Sequence, residues 1–262
     1  AGRTDRFPLP IDVAFTVTGE APGEFAAQLV DEPRLSPLLF YVAGVEAVDQ
    51  ALDRIGPGTA WVKYTIRGRG MPRSFTRENV FLSTSDVAVY APLEAALVLD
   101  VLAYNEFADP LLTAVQMEIE VTPEFSALEI IDLVTDQDEY EPGDTVQFTV
   151  ELRAWRGEAR TLEGSIRIPH DLDTPYVVLR AYGGPRPREK AEPAPVFESL
   201  GDVLDYIEGI PTYDTLTVEL FAVDPISQIM GEPWLYGVSY VSQKFPGNVV
   251  YGEVSLILPI GG

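Results

Sequence analysis

The densest chemistry in the chain lies in residues 132–144, where Asp132 is followed by Asp136, Asp138, Glu139, Glu141 and Asp144 around a Pro142-Gly143 turn. Carboxylates crowded at a turn are the ligand type of calcium, which takes about 6–8 oxygens. Asp136-x-Asp138 matches the opening of an EF-hand loop, but the central glycine and terminal glutamate are not in place. Ligand type alone therefore carries the calcium expectation. An acidic, solvated sheet edge that deters edge-to-edge pairing fits the same residues. His170 is the only histidine, and Asp171 and Asp173 stand close to it. A Ser–His–Asp device also needs a nucleophile, and none accompanies them, so Pro169–Asp173 reads as a solvated turn at a strand end. A third set is aromatic: Trp155, Trp234, Tyr236 and Tyr240 are candidate interaction residues that would stack on sugar rings or fill core corners. Cysteine is absent, which excludes disulfides, thiolate nucleophiles and zinc–cysteine sites.

These residues need elements to hold them. Val146, Phe148, Val150 and Leu152 alternate with Gln147, Thr149, Glu151 and Arg153, which predicts a half-buried strand between the Pro142-Gly143 turn and Arg156-Gly157. Upstream, Phe7–Thr18 and Glu24–Val30 read as strands, followed by a helix over Pro37–Ile55 with Ser36 as its cap. Leu38, Tyr41, Val42, Val45, Val48, Leu52 and Ile55 are expected to form its buried stripe. Strands at Thr59–Gly68 and Arg73–Phe81 lead to a second helix over Asp86–Tyr104, capped by Ser85 and kinked or split at Pro92. Leu111–Val121 completes a β-β-α-β-β-α-β order.

Later segments are mainly short strands, at Leu128–Thr135, Ala159–Ile168, Tyr176–Ala181, Thr215–Val223 and Val249–Leu258. They are interrupted by the Pro- and charge-rich Gly183–Pro195 and a small helix at Ser199–Ile207. The expected architecture is an α+β domain over residues 1–123, an antiparallel sheet with two helices. A mainly-β, Ig-like sandwich over 124–262 follows, with a helical insertion at 183–212.

The chain has 262 residues and a net charge of -23, with 46% hydrophobic residues. That composition predicts a folded protein that binds neither nucleic acid nor anionic membrane surfaces. The richest apolar run, Val87–Leu102, is broken by Pro92, Glu94 and Asp100, so no membrane span is expected. Scarce asparagine and absent cysteine lean towards a thermophilic source. The first residue, Ala1, suggests a processed product or an excised part of a longer chain.

An ordered series of motifs resembles one region of large bacterial proteins. It runs from Arg34-Leu35-Ser36-Pro37-Leu38-Leu39 through WVKYTIRGRG to YEPGDTVQFTVELRAWRGEARTLEGSIRIPHDL. It continues in the Ser199–Ile207 helix and the Asp214–Leu220 strand. The region is the one that follows the peptidase domain in proteins with a SpoIVB-type serine peptidase domain. The Tyr140–Val146 entry also resembles the second strand of bacterial Ig-like domains, in which the tyrosine packs beneath the turn. The peptidase's Gly-Ser-Gly nucleophile context has no counterpart here, where Arg69-Gly70-Met71-Pro72-Arg73-Ser74 stands instead. The resemblance thus implies a non-catalytic companion region of an extracellular or cell-envelope protein.

Two functions are carried forward. The first is a structural module for protein interaction or self-assembly, as a homo-oligomer or polymer built by terminal-strand exchange. The second is an accessory module binding glycan or calcium.

Overall fold

Alternation of apolar and polar residues gives the first sheet its two unlike faces. In the computed structural model, which describes residues 10–52, 56–172, 174–186, 195–223 and 235–261, β1 (Ile11–Thr18) buries Ile11, Val13, Phe15 and Val17. It forms a hairpin with β2 (Gly23–Leu29) and runs parallel to β5 (Leu111–Thr122). The hairpin of β3 (Gly58–Arg69) and β4 (Phe75–Ser83) adds to the other edge of β5, giving the order β2-β1-β5-β3-β4. One face carries pairs such as Lys63–Glu78 at 2.9 Å and Arg67–Gln116 at 2.8 Å and meets water. The other is covered by α1 (Ser36–Leu52) and α2 (Leu93–Tyr104).

Both helices differ from expectation in instructive ways. Backbone hydrogen bonding around α1 begins earlier, at Glu32–Leu35, and Ser36 is buried with its hydroxyl donating to the Val30 and Glu32 carbonyls. The buried arc of α1 is Phe40, Gly44, Ala47, Val48, Ala51 and Leu52, whereas Leu38 and Val42 face outward. Close approach selects that arc: a Cβ on Gly44 would stand 2.6 Å from Pro92 Cβ. Ile55 lies outside the described residues. The second helix is neither kinked nor split at Pro92 but begins after it: residues 87–92 form bends and turns, and only Leu93–Tyr104 is α-helix. Ser83, not Ser85, serves its approach by accepting from the Ser85 and Asp86 amides.

The chain divides into two compact units, Ala1–Phe125 with Phe197–Ile210, and Ser126–Val196 with Pro211–Gly262. The first boundary falls two residues after the expected 123. The helix of the 183–212 insertion, α3 (Leu200–Gly209), belongs to the first unit, which corrects its assignment to the sandwich. The physical reason is its apolar side: Leu200, Val203 and Leu204 are buried in the core of the first unit. Ser199 caps it through a complete capping box with Asp202.

The second unit is a β-sandwich. One sheet has the order β12-β6-β7-β8 and the other β11-β10-β9-β13. The first is built from β6 (Ala127–Thr135), β7 (Thr145–Ala154), β8 (Ala159–Arg167) and β12 (Val249–Tyr251). The second comprises β9 (Tyr176–Gly183), β10 (Thr215–Val223), β11 (Leu235–Lys244) and β13 (Glu253–Pro259). Val146, Phe148, Val150 and Leu152 of β7 pack with Leu179, Leu216, Val218 and Leu220 in one core. Val249–Leu258 is two strands, because Gly252 at φ +95° lets the chain cross from one sheet to the other. Tyr140 is buried beneath the Glu141–Asp144 turn, where Gly143 takes φ +95° and Asp144 N–H donates to Glu141 O at 3.1 Å.

Candidate functional site

The inward arcs of α1 and α2 already fill the core of the first unit, yet their outward arcs are apolar too. On α2 the outward residues are Leu93, Leu97, Val101 and Tyr104, spaced to lie within about 80° of one another at 100° per residue. On α1 they are Leu38 and Val42, continuous with Leu35 and Leu39. Leu38 and Leu97 are each 58% exposed and Tyr104 59%. Helices packed side by side on one sheet face present these arcs in the same direction. A helix apolar all round ordinarily has a partner on both sides. Large contiguous apolar patches are rare on folded monomers, so this set of exposed apolar residues is a candidate site.

Its borders are acidic. Residues 31–52 and 86–109 contain nine acids and one base, Arg34. Burial, then the charges of Asp86 and Glu46, pushes the Asp49 carboxyl above its ordinary range, and its Oδ1 is enclosed without a hydrogen-bond partner. Asp31 is likewise raised, by burial and by the charges of Asp109 and Glu32. Asp49 and Asp86 lie where α1 ends and α2 begins, and Asp31 and Asp109 lie where α1 begins and α2 has ended. The apolar face therefore has crowded carboxylates at both of its ends.

A second feature sits on the sandwich. Strand register places Tyr251, Glu129 and Arg153 as neighbours across β12, β6 and β7. Arg153 Nη2 bonds Glu129 Oε2 at 2.7 Å. The β7–β8 turn then brings Trp155 and Arg156 beside this row, and together with Ala154 they line a cavity of about 320 Å³. Trp155 is 46% exposed, and the Arg156 guanidinium stands 5.7 Å from its ring centre. Arg156 has φ 53°, the one positive value at a non-glycine among the described residues.

The expected metal ligands do not converge. Asp136 Oδ1 accepts from Tyr140 Oη at 2.7 Å and from the Gln147 amide at 3.1 Å. Asp144 Oδ2 accepts from the Glu141 amide at 2.8 Å, so both carboxylates hold the turn. Asp138, Glu139 and Glu141 are exposed. Among the described residues no three His, Asp or Glu side chains are grouped to hold a metal. His170 is exposed, lies against Gly143 and pairs Nε2 with Arg167 Nη2 at 2.6 Å. Asp173 and Trp234 lie outside the described residues. Tyr236 and Tyr240 are on β11, opposite Ala222 and Glu219 of β10. Among the described residues, Trp155 is the aromatic candidate that lines the cavity.

Two buried polar groups complete the survey. In the first unit, Arg77 joins Glu94 and the end of α3. In the second, Arg180 Nε donates to Glu219 Oε1 at 2.8 Å while its guanidinium covers the Phe221 ring at 4.8 Å. Burial and then the Glu219 charge push the Tyr182 hydroxyl up to about 12. Each group is hydrogen-bonded within the protein, the first between β4, α2 and the end of α3 and the second between β9 and β10, which suits a structural role.

Sequence reasoning missed the helix face because it assigned Leu38 and Val42 to the core. The signal was present in LEAALVLDVLAY, which offers no polar arc. Tyr251 and Glu129 of the cavity were missed because only strand register brings them to Trp155. No helix among the described residues is long and apolar enough to cross a membrane. Comparison with known proteins finds no matching family model, no matching curated protein and no matching solved structure.

Proposed function

We propose that this chain is a non-catalytic protein-interaction module of an extracellular or cell-envelope protein. It docks a partner on the outward face of α1 and α2. The observation that carries the reading is the apolar outward arc of α2, Leu93, Leu97, Val101 and Tyr104, on a helix whose opposite side is already buried. The acidic ends select the partner's chemistry: an amphipathic segment with an apolar centre flanked by Lys and Arg. A second copy of this chain fits less well, since it would bring the same carboxylates and a further net charge of -23 to the contact. The terminal strands pair within the chain, β12 with β6 and β13 with β9, and the reading rests on the helix face and not on strand exchange.

The test is calorimetric titration with a synthetic Leu/Lys amphipathic helical peptide, beside light scattering over a concentration series. The wild type is expected to bind saturably, more weakly as salt rises, and to stay monomeric without peptide. The double variant Leu38→Glu, Leu97→Glu is expected to lose the peptide while keeping its melting temperature. Equal binding by wild type and variant, or none by either, overturns the reading. Growth of the wild type into oligomers that the variant lacks would make a second copy the occupant and overturn the choice of partner.

A further inference from the structure

Independently of the helix face, we infer that the cavity at the β7–β8 turn is a binding site for a sugar bearing a carboxylate, a uronic acid residue of a glycan. At about 320 Å³ the cavity is at the small end of ligand pockets, a size for a sugar unit and not for a folded partner. Trp155 and Tyr251 line it, and both are more than a third exposed. Aromatic faces left in contact with water beside a cavity supply the apolar platform that the C–H face of a pyranose ring requires.

Arg156 gives the site its charge preference. Among the described residues it forms no ion pair, whereas its neighbour Arg153 is neutralised by Glu129 at 2.7 Å. A guanidinium held beside an aromatic ring, with its N–H fork uncommitted to a protein carboxylate, matches a ligand carboxylate in bidentate geometry. Its backbone supplies an independent indication. A non-glycine residue in the left-handed region is strained, and such residues concentrate where a side chain is being aimed. Glycine would occupy φ 53° without strain, and Gly157 follows immediately, so the turn alone does not call for arginine.

The remaining groups fit hydroxyl recognition. The Glu129–Arg153 pair offers an acceptor and donors across the strands at one wall. Burial and the Glu129 charge raise the Tyr251 hydroxyl above its ordinary range, so it stays a hydrogen-bond donor at neutral pH. In a chain of net charge -23, a cation with no ion pair among the described residues is also what a sugar acid would find and a neutral sugar would not require.

The experiment titrates the full chain with an oligosaccharide of alternating glucuronic acid and N-acetylglucosamine. An N-acetylglucosamine oligosaccharide serves as the neutral counterpart. The readouts are tryptophan fluorescence and calorimetry. Wild type is expected to bind the acidic glycan saturably and the neutral one at least about tenfold more weakly, as loss of a charged hydrogen bond predicts. Arg156→Gly relieves the backbone and is expected to fold at least as stably, yet to lose that preference. Trp155→Ala is expected to lose both ligands, with its melting temperature as the folding control. Absence of binding to either glycan overturns the inference, as does equal affinity for the two. Unchanged selectivity in Arg156→Gly would also overturn it.

Discussion

Arg77 Nε stands 2.6 Å from Glu94 Oε1, and the same guanidinium reaches the end of α3 with its other nitrogens. Nη1 donates to the carbonyls of Ile207 at 2.9 Å and Glu208 at 3.1 Å, and Nη2 to Ile210 at 2.9 Å. The last carbonyls of a helix are short of backbone donors (Ile207 O takes the Ile210 amide at 3.2 Å), and a cation there also meets the negative end of the helix dipole. One side chain of β4 thereby joins the start of α2 to the end of α3. Tyr64 Oη donates to Glu94 Oε1 at 2.9 Å, and Asn79 Nδ2 donates to Oε2, so the carboxylate is fully used. This network holds α3 in the first unit although the chain reaches it from the second.

Removing the guanidinium should therefore be costly. Arg77→Ala removes the charge partner of the Glu94 carboxylate in a packed setting and takes the guanidinium donors from the Glu208 and Ile210 carbonyls, an expected loss of about 3–5 kcal/mol. Arg77→Lys should recover less than half, because one ammonium cannot fork to four acceptors. Urea unfolding measures both. A loss below about 1 kcal/mol for Arg77→Ala would show that the network contributes little.

The two arcs of the helices should respond oppositely to substitution. Phe40, fully buried and 5.3 Å from the Phe15 ring centre, should cost about 3–5 kcal/mol as Phe40→Ala. Leu97→Gln removes an equally apolar side chain from the outward arc and should change stability by no more than about 0.5 kcal/mol. A large loss in Leu97→Gln would mean that the chain itself uses this arc.

Much of this fold was legible, for reasons that differ between its parts. The β-β-α-β-β-α-β order followed from period-2 strands and from two helical segments whose starts are marked by Pro37 and Pro92. β7 was read correctly because Val146 to Leu152 alternate over a half-buried surface. The buried arc of α1 was legible in part: Val48 and Leu52 are buried as expected, but Leu38 and Val42 are as apolar as Phe40 and face outward, where the close approach of Pro92 to Gly44 sets the arc. α3 was legible as a helix but its host was not, because local sequence sets a helix and long-range packing sets where it docks. β11 was overlooked in an aromatic stretch without clean alternation. The cavity could not be foreseen beyond Trp155, because the row Tyr251–Glu129–Arg153 exists only through register.

Asp49 predicts a pH dependence. Its native pKa lies above the ordinary 3.8, so the folded protein holds this proton more tightly than the unfolded chain. Stability from this group therefore rises as pH falls through the native pKa towards 3.8, and its penalty is fully present at neutral pH. Asp49→Asn removes the charge with little change of shape. It should raise the urea midpoint at about pH 7 and leave it nearly unchanged at about pH 3, where the wild-type group is protonated. A variant less stable at neutral pH would show instead that the Asp49 charge is satisfied in solution.

Glycines separate backbone contact from mere conformational freedom. A Cβ on Gly183 would lie 2.2 Å from Val250 O and 2.7 Å from the Tyr251 amide nitrogen, atoms of the strand that β12 contributes to the other sheet. Neither neighbour is a flexible side-chain end, and Gly183 N–H also donates to Gly252 O at 3.2 Å where the chain crosses between sheets. Gly183→Ala must push β12 outward, with an expected cost of about 1–3 kcal/mol or more. Tyr251 moves with β12, so the change should also alter Trp155 fluorescence through the cavity they share. Gly209 at the end of α3 has nothing within 4 Å of such a Cβ. Gly209→Ala should be neutral or stabilising by up to about 1 kcal/mol, through the entropy of the unfolded chain. Paired urea titrations distinguish the two cases, and equal effects would show that the crossing at Gly183 yields where its backbone contacts say it should not.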